Sequence, residues 1–329
     1  DLTTCLARTQ PDSVYVTMPV ALQPLIRQLA DQLRASRCHW CFVPALSDQL
    51  AGRTQAALRV AQGAEVAGGT LWAVDPEQLL GRKPHPLDEA SIRQTLAGRV
   101  VMITGAGGSI GSELAKIVAR FDPARLVLVE RSENALFEID RQIAQSFPRL
   151  ARSAVLHDVT DAARTLGLVM AQQPAVIFHA AAHKHVPMME DHPAHALENN
   201  FYGTRAIAEA ACQQGVDRFV MISTDKAVNP SSVMGASKRL AELFIQHLNS
   251  RCDTTFCMVR FGNVLGSACS VLPIWSQQMA QRQPITVTHP EMQRYFMTIP
   301  EAAGLVLQSA SMSGEYTQPG GIRGGEVFL

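Results

Sequence analysis

The stretch VVMITGAGGSIG at residues 100–111 decides the fold, because it places a glycine-rich turn directly after an apolar run. Its three spaced glycines allow a tight turn, a close approach of the backbone to a pyrophosphate, and close packing of the next helix on the sheet. The amino terminus of that helix offers N–H groups and a favourable dipole to an anion. The stretch therefore predicts a dinucleotide site, and the residues expected to form it are Gly105, Gly108, Ser109, Ile110 and Gly111.

A second apolar run, residues 126–129, ends in Glu130 at the spacing where an acidic group meets the adenosine ribose. A glutamate there accepts a hydrogen bond from a free 2′-hydroxyl, which favours NAD. The adjacent Arg131 is instead suited to neutralise the 2′-phosphate of NADP. The sequence favours NAD and leaves NADP open.

Two further strand patterns lead toward the same site. Residues 154–157 run into Asp158-Val159, where the carboxylate can accept a hydrogen bond from the adenine amino group. Residues 175–179 run into Ala180-Ala181-Ala182, whose small side chains let a cofactor lie against the backbone. We expect both segments to contact the cofactor.

The fold class follows from the alternation of strand and helix patterns from residue 100 to about residue 260. This alternation predicts an α/β fold of the Rossmann type, with a doubly wound parallel sheet. Two prolines and a charge cluster interrupt the pattern near residues 81–86. We therefore expect a small N-terminal α/β domain at 1–83, a linker at 84–98, and a dinucleotide-binding domain at 99–329 with substrate-binding elements toward its end.

Composition narrows the function classes. The 329 residues are 47% hydrophobic, and the 29 basic and 29 acidic residues balance, so there is no electrostatic reason to expect a nucleic acid partner. No apolar run approaches the roughly 18 residues of a membrane span. Seven cysteines, an odd number, favour a reducing compartment over a disulfide framework. The motifs Cys38-His39-Trp40-Cys41 and His183-Lys184-His185 lack the further ligands of a metal site, so we expect no metal.

The candidate catalytic groups follow the apolar run at residues 218–222. The sequence Ser223-Thr224-Asp225-Lys226 puts hydroxyl, carboxyl and ammonium groups at the carboxyl end of a predicted strand, where open α/β sheets bind their ligands. Met234 and Lys238 follow at a spacing of four, which places both on one face of a helix. Their spacing resembles the YxxxK signature of short-chain dehydrogenases, with methionine in place of tyrosine.

These segments, together with RFGNVLGS at 260–267 and TVTHPEMQRYFM at 286–297, closely resemble the nucleotide-sugar 4,6-dehydratases of bacterial capsule, O-antigen and glycan synthesis. Those enzymes are extended short-chain dehydrogenase/reductases. The resemblance covers roughly residues 80–329, and the first region resembles the small domain that precedes the catalytic one in large membrane-anchored members. It implies an excised catalytic portion of a homo-oligomeric enzyme at the cytoplasmic face of the bacterial inner membrane.

The resemblance also implies a reaction. A tightly bound NAD or NADP would oxidise C4 of UDP-N-acetylglucosamine, which makes the C5 proton acidic because it then lies next to a ketone. Water would be eliminated across C5 and C6, and the stored hydride would return to C6. The product would be a UDP-4-keto-6-deoxy sugar, without net oxidation or reduction.

By the same resemblance, Asp225 would protonate the departing C6 hydroxyl, Lys226 would remove the C5 proton, and Thr224 would bond near the C4 oxygen. The acid must be protonated and the base neutral when they act, which implies a dry pocket around Asp225 and Lys226. The candidate catalytic residues are therefore Thr224, Asp225, Lys226, Met234 and Lys238, and Met234 occupies the position of the family's tyrosine.

The remaining family positions would hold ligands. Lys238 would bind the nicotinamide ribose, and Asn200 would support its helix through the backbone. Asn263 and Arg294 would bind the UDP part of the substrate, since a guanidinium matches the geometry of phosphate. Met234 departs from the tyrosine that small relatives use as the base for C4 oxidation, and a thioether cannot take up that proton.

Two alternatives to the dehydratase remain open from the sequence. A UDP-sugar 4-epimerase uses the same fold and cofactor but has no need of an acid and base at residues 225 and 226. A non-catalytic NAD(P)-binding regulatory module would explain the loss of tyrosine at Met234. It would not explain why Asp225, Lys226 and Lys238 are present.

Overall fold

The structure is a computed structural model that describes residues 85–267, 289–312 and 324–329 without a break. The shorter described stretches are 13–18, 39–44, 65–66 and 283–287, with single positions and pairs between residues 8 and 33 and between 271 and 281. The motif Cys38-His39-Trp40-Cys41 lies partly outside the described residues.

The chain divides into two compact units. One comprises residues 1–83 and 271–292, and the other comprises residues 84–270 and 293–329. Residues 271–292 are thus grouped with residues 1–83, and the domain bounds expected from the sequence stay a prediction. In that unit the strands β1 (Ser13–Met18), β2 (His39–Pro44) and β3 (Glu65–Val66) form a parallel sheet in the order β1-β2-β3.

The larger unit contains a seven-stranded parallel sheet and a separate two-stranded pair. Its described strands are β4 (Val100–Thr104), β5 (Arg125–Glu130), β6 (Arg152–Leu156), β7 (Val176–His179), β8 (Arg218–Thr224), β9 (Thr255–Phe261), β10 (Asn263–Val264), β11 (Phe296–Met297) and β12 (Glu326–Phe328). The seven strands lie in the order β12-β9-β8-β7-β4-β5-β6, and β10 pairs with β11. The strand order reverses between β4 and β7, so the carboxyl ends of these two strands mark the crevice where such sheets bind ligands. The predicted Rossmann-type fold is confirmed.

Helices connect these strands. The described helices are α1 (Glu89–Leu96), α2 (Ser109–Val118), α3 (Glu133–Ser146), α4 (Ala162–Gln172), α5 (Val186–Asp191), α6 (Pro193–Ala196), α7 (Gly203–Gln213), α8 (Val233–Asn249) and α9 (Ile299–Met312). A π-helical turn, Leu197–Tyr202, joins α6 to α7, and a 3₁₀ turn, Asp225–Ala227, follows β8. Within the described residues, none of these helices has the length and apolarity needed to cross a bilayer.

The central strands are buried on both faces of the sheet. Side chains alternate along a strand, so successive residues join the apolar clusters on opposite faces. On β4, Val101 and Ile103 join the apolar cluster that includes α2, α3 and α9, whereas Met102 joins the cluster that includes α4, α7 and α8. On β8, Val220 joins the first cluster, and Phe219 joins the second. Polar groups are therefore confined to the strand ends, which is where the candidate site residues lie.

The segment expected to be a linker contains helix α1. Asp88 caps the helix by accepting a hydrogen bond from Ser91 N at 3.1 Å, and Ile92 and Leu96 are buried in the core of the larger unit. The prolines at 84 and 86 precede the cap. These prolines interrupt the strand and helix pattern of the sequence. The short amphipathic helix that begins after them was therefore not predicted from the sequence.

Candidate active site

The turn from β4 into α2 is built around glycines. Gly105 has a φ of +67°, and a Cβ there would lie 2.7 Å from Ala181 N. A Cβ on Gly111 would collide with the carbonyl oxygen of Gly105, and Gly108 is the N-cap of α2. The tight turn and close packing expected from the sequence are therefore present. Because α2 begins at Ser109, the backbone N–H groups of its first turn, that of Ile110 included, point toward the glycine turn at the amino end of the helix.

A cleft of about 280 Å³ lies beside this turn, at the carboxyl ends of β4, β5 and β7. Nine residues predicted to contact a cofactor line it: Gly105, Gly108, Glu130, Arg131, Asp158, Val159, Ala180, Ala181 and Ala182. Five lining residues were not predicted: Gly107, Val129, Ala135, His157 and Asn199. The predicted residues Ser109, Ile110, Gly111 and Lys238 do not line it.

Glu130 ties the glycine turn to the start of α3. Its Oε2 accepts from Gly107 N at 3.1 Å, and its Oε1 accepts from Arg131 N at 2.9 Å and from Ser132 N at 3.0 Å. A carboxylate can accept about four hydrogen bonds. Glu130 therefore shapes the cleft wall and retains capacity for one donor from a ligand.

Arg131 lines the cleft, and its side chain is 47% exposed. Its Nη1 donates to Asn199 Oδ1 at 3.1 Å and lies 3.8 Å from Asp158 Oδ2, while Nη2 lies 3.3 Å from His183 Nε2. Burial lowers the pKa of His183, and the Arg131 cation lowers it further, so the neutral ring accepts from the guanidinium. Partial burial opposes ionisation of Asp158, but hydrogen bonds from Thr160 N and Oγ1 outweigh it and lower the pKa of Asp158.

His179, at the end of β7, lies buried beneath the cleft between two threonine hydroxyls. Its Nδ1 is 2.7 Å from Thr104 Oγ1, and its Nε2 is 2.9 Å from Thr204 Oγ1. Since Thr204 Oγ1 donates to Asn200 O at 2.7 Å, it accepts from Nε2, which leaves Nδ1 to accept from Thr104. Burial lowers the pKa of His179 to about 3, and the charge of Lys238 acts in the same direction. The neutral imidazole thus joins β4 to β7 at the switch point.

The predicted proton-transfer groups cluster where β8 ends. Asp225 Oδ1 accepts from Thr224 Oγ1 at 2.9 Å and from Lys226 Nζ at 2.9 Å. Lys226 Nζ also donates to Asn263 Oδ1 at 3.3 Å. The side chains of Asp225 and Lys226 are 39% and 35% exposed, so they form a partly solvated ion pair, and the expected dry pocket around them is not present in this structure. The side chains at the carboxyl end of β8 are therefore partly exposed to solvent, and the sequence pattern does not reveal this exposure.

Lys238 is buried on α8. Its Nζ donates to Ile222 O on β8 at 2.7 Å. Burial lowers the pKa of Lys238 to about 8, and Glu242 opposes that shift. Asn200 supports the same helix, because its Nδ2 donates to Ser237 Oγ at 3.0 Å. The support predicted through the backbone therefore runs through the asparagine side chain.

Met234 is 3% exposed and belongs to a small apolar cluster with Met189 and Ala196. Its backbone carbonyl accepts from Ser237 Oγ at 2.7 Å. The thioether is a packing group in this position, between α8 and the segment that carries α5 and α6. Its predicted place beside a nicotinamide stays a prediction.

Of the two predicted UDP-binding residues, Asn263 lies in β10 and Arg294 lies two residues before the paired strand β11. Asn263 N donates to Tyr295 O at 3.0 Å, where β10 pairs with β11. This hydrogen bond holds Tyr295, the residue before β11, next to Asn263. Arg294 is exposed, and its Nη1 donates to Gln293 O at 2.7 Å. The pairing of β10 with β11 brings the segments of Asn263 and Arg294 together. Among the described residues, no three candidate ligands form a metal-binding group.

Comparison with known proteins identifies the family to which the chain belongs. A family model described as "Polysaccharide biosynthesis protein" matches residues 101–318. The chain is 47% identical over 267 residues to "Capsular polysaccharide biosynthesis protein CapD" of Staphylococcus aureus, a match that covers 80% of this chain and 43% of that protein. The chain therefore spans less than half the length of this relative.

Two relatives with named activities are more distant. A "UDP-N-acetylglucosamine 4,6-dehydratase (inverting)" of Campylobacter jejuni is 30% identical over 237 residues, which are 70% of this chain and 66% of that protein. A "UDP-glucose 4-epimerase" of Rickettsia canadensis is 34% identical over 221 residues, 64% of this chain and 62% of that protein. Among solved structures, the dTDP-glucose 4,6-dehydratase DesIV of Streptomyces venezuelae with NAD bound has a TM-score of 0.59 at 19% identity, covering 69% of this chain and 74% of that chain. This last likeness supports the fold alone.

Proposed function

The chain belongs to the polysaccharide biosynthesis protein family, and from that premise we propose that it is a UDP-N-acetylglucosamine 4,6-dehydratase. The observation that carries the proposal is the contact of Thr224, Asp225 and Lys226 at the carboxyl end of β8. Elimination of water across C5 and C6 needs an acid and a base on neighbouring carbons, and this cluster supplies both. The similarity to a named dehydratase supports the substrate, and the similarity to CapD supports a place in surface polysaccharide or glycan synthesis.

The cleft suits a nicotinamide dinucleotide, because Gly105, Gly107 and Gly108 line it without side chains and α2 starts at the same turn. We propose NAD as the dinucleotide. Glu130 keeps acceptor capacity for a ribose hydroxyl, whereas the Arg131 guanidinium is already engaged by Asn199 and Asp158. When bound, the nicotinamide supplies reversible hydride transfer. Lys238 would hold its ribose, and Asn263 and Arg294 would hold the UDP part of the substrate.

The hydroxyl of Thr224 gives the proton transfers a continuous path. Oxidation at C4 releases the proton of the C4 hydroxyl, and Thr224 passes it to Asp225, whose Oδ1 lies 2.9 Å from Thr224 Oγ1. Asp225 then gives that proton to the departing C6 hydroxyl, so the proton from O4 leaves in the water. This route needs no group at Met234, which is buried in apolar surroundings.

Lys226 handles the proton on C5. Once Asp225 is protonated, Lys226 has lost its charged partner, and a substrate that covers the pair further favours the neutral amine. The amine releases its own proton to solvent, removes the C5 proton, and returns a proton to C5; it then takes up a proton from solvent, which restores the ion pair with the Asp225 carboxylate. Asn263 Oδ1, 3.3 Å from Nζ, keeps the amine oriented after the ion pair is lost.

A mass measurement tests the proposal. The protein is incubated with UDP-N-acetylglucosamine, and the mass and redox state of the product are recorded. Loss of one water without net oxidation or reduction supports the dehydratase. A product of unchanged mass with inverted C4 would indicate the epimerase, and dinucleotide binding without turnover would indicate a regulatory module.

The epimerase is the second candidate, because the chain is similar to the Rickettsia enzyme over a comparable length. An epimerase needs no acid and base at C6 and C5, so it leaves the Asp225–Lys226 contact without a purpose. For the longer protein, the resemblance to large members supports anchoring at the cytoplasmic face of the inner membrane and assembly into a homo-oligomer.

A further inference from the structure

Glu242 on α8 is a fully buried carboxylate that accepts four hydrogen bonds. Its Oε1 accepts from Ser223 Oγ at 2.6 Å and from Arg260 Nε at 2.8 Å. Its Oε2 accepts from Arg260 Nη2 at 2.6 Å and from Arg239 Nη1 at 3.0 Å. These four bonds fill the acceptor capacity of a carboxylate. Glu242 therefore has no capacity left for a ligand, and it acts within the protein.

The bonds of this carboxylate join three segments that carry proposed site residues. Ser223 directly precedes Thr224–Lys226 at the end of β8, and Arg260 lies three residues before Asn263. The carboxylate itself lies one turn after Lys238, so both project from the same face of α8. The buried carboxylate of Glu242 thus connects α8, which also carries Lys238, to the carboxyl ends of β8 and β9 through hydrogen bonds.

We propose that Glu242 is the positioning residue of the active site. Its carboxylate fixes the ends of β8 and β9 against α8, so that Lys226, Asn263 and Lys238 address one substrate and one dinucleotide. This inference rests on the proposed function, since it names what holds the proposed site together. Arg260, whose side chain is only 13% exposed, is the main link, because its guanidinium meets both carboxylate oxygens.

The same carboxylate is the counter-charge of Lys238. Burial lowers the pKa of Lys238, and Glu242 limits that shift. Glu242 stays ionised, because hydrogen bonds from Arg260, Ser223 and Arg239 outweigh the opposing effect of burial and lower its pKa. From β7, the titratable group near Lys238 is His179, which is neutral because burial lowers its pKa to about 3. Removal of the Glu242 charge should therefore lower the pKa of Lys238 further.

Glu242→Gln tests the positioning role. The change keeps the shape of the side chain but removes its charge and turns one acceptor into a donor. We expect the kcat for UDP-N-acetylglucosamine to fall about a hundredfold while KM changes by less than about threefold, since a displacement of about 1 Å costs that much in turnover. Asp140→Asn is the matched control, because it removes the charge from an arginine contact of 2.7 Å at the amino end of β6, away from the site. It should change kcat by less than about threefold.

A double variant separates positioning from folding. Glu242→Gln also weakens the fold, because it leaves the Arg260 guanidinium without a counter-charge. Glu242→Leu combined with Arg260→Met replaces the pair with apolar side chains of similar volume, which typically restores stability. A folded double variant whose turnover stays about a hundredfold low supports the proposal. Recovery of turnover together with stability would show that Glu242 serves the fold only, and would overturn it.

A binding measurement needs no sugar nucleotide. Protein stripped of dinucleotide is titrated with NADH at increasing pH. Wild type should lose affinity as the pH rises through about 8, where the ammonium of Lys238 loses its proton. In Glu242→Gln the midpoint should move to lower pH, and an unmoved midpoint would overturn the inference. If wild type binds NADH with this pH dependence but does not convert UDP-N-acetylglucosamine, the proposed function fails and the inference about Glu242 stands.

Discussion

The ion pair of Asp225 and Lys226 illustrates how single residues set the chemistry of this site. The two side chains touch at 2.9 Å and are partly solvated, which suits charged groups. The proposed reaction needs both of them neutral in turn. In the proposed mechanism, a bound substrate would supply that change, because it would cover the pair and provide a proton through Thr224.

The first prediction concerns Lys226→Ala. We expect this variant to fold normally, because the side chain is 35% exposed, and to lose solvent deuterium incorporation at C5 of the sugar, because the base is gone. Mass spectrometry of the product and of recovered substrate in D₂O measures the exchange. Exchange at the wild-type rate in a folded variant would clear Lys226 of its role as the base.

The second prediction concerns Met234→Ala. Met234 is buried against Met189 and Ala196, so truncation should leave a cavity and cost about 2–5 kcal/mol of unfolding free energy. Turnover should fall by only about tenfold or less, because positioning is lost while no proton-transfer group is removed. Denaturant unfolding and steady-state kinetics measure the two effects. A fall beyond roughly a thousandfold, with ligands still bound, would mean that Met234 takes part in the chemistry.

At the scale of elements, the β4–α2 turn depends on the absence of side chains. The third prediction compares two glycines in helices. Gly111→Ala should destabilise the protein and abolish NADH binding, because the added Cβ collides with the Gly105 carbonyl at the centre of the turn. Gly167→Ala on α4 should stabilise the protein by about 0.5–1 kcal/mol, because its Cβ would meet nothing within 4 Å. Thermal unfolding with and without NADH measures both, and equal effects of the two changes would contradict the role given to the turn.

The elements also show what the sequence could and could not predict. Continuous apolar runs, glycine spacing and the polar ends of strands are local features, so the order of strands and helices and nine of the cleft residues could be predicted. Helix α1 was missed because two prolines precede its cap. The contacts of Arg131 with Asn199 and the convergence of Ser223 and Arg260 on Glu242 join segments far apart in sequence. Contacts between residues so far apart in sequence leave no local pattern from which a single sequence could predict them.

At the scale of the whole molecule, the fourth prediction is that the protein purifies with its dinucleotide. In the proposed reaction the hydride that leaves C4 would return to C6, so a dinucleotide that stayed in the cleft would serve every cycle. Absorbance and mass spectrometry of the denatured protein would detect it, and turnover should proceed without added reductant. Strict dependence on stoichiometric NADH would contradict the proposed reaction.

The stability of the whole fold should depend on His179, which joins β4 to β7 beneath the cleft. Its ordinary pKa is 6.5, and burial lowers this to about 3 in the folded protein. Between these two values the unfolded chain binds a proton at His179 that the folded protein does not. Protonation therefore favours unfolding, and the contribution of His179 to stability is complete above pH 6.5 and declines as the pH falls below it.

The fifth prediction is that the unfolding free energy falls by about 1.4 kcal/mol for each pH unit below 6.5 on account of this one ring, in addition to any other titrating groups. His179→Gln has no titratable ring but can still donate to Thr204. It should be less stable than wild type at pH 7.5, because the bond from Thr104 is lost, yet its stability should decline less steeply between pH 6.5 and 5. Denaturant titrations of both proteins across this range measure the difference in slope. Parallel slopes would mean that His179 titrates normally in the fold and is not the neutral link between β4 and β7.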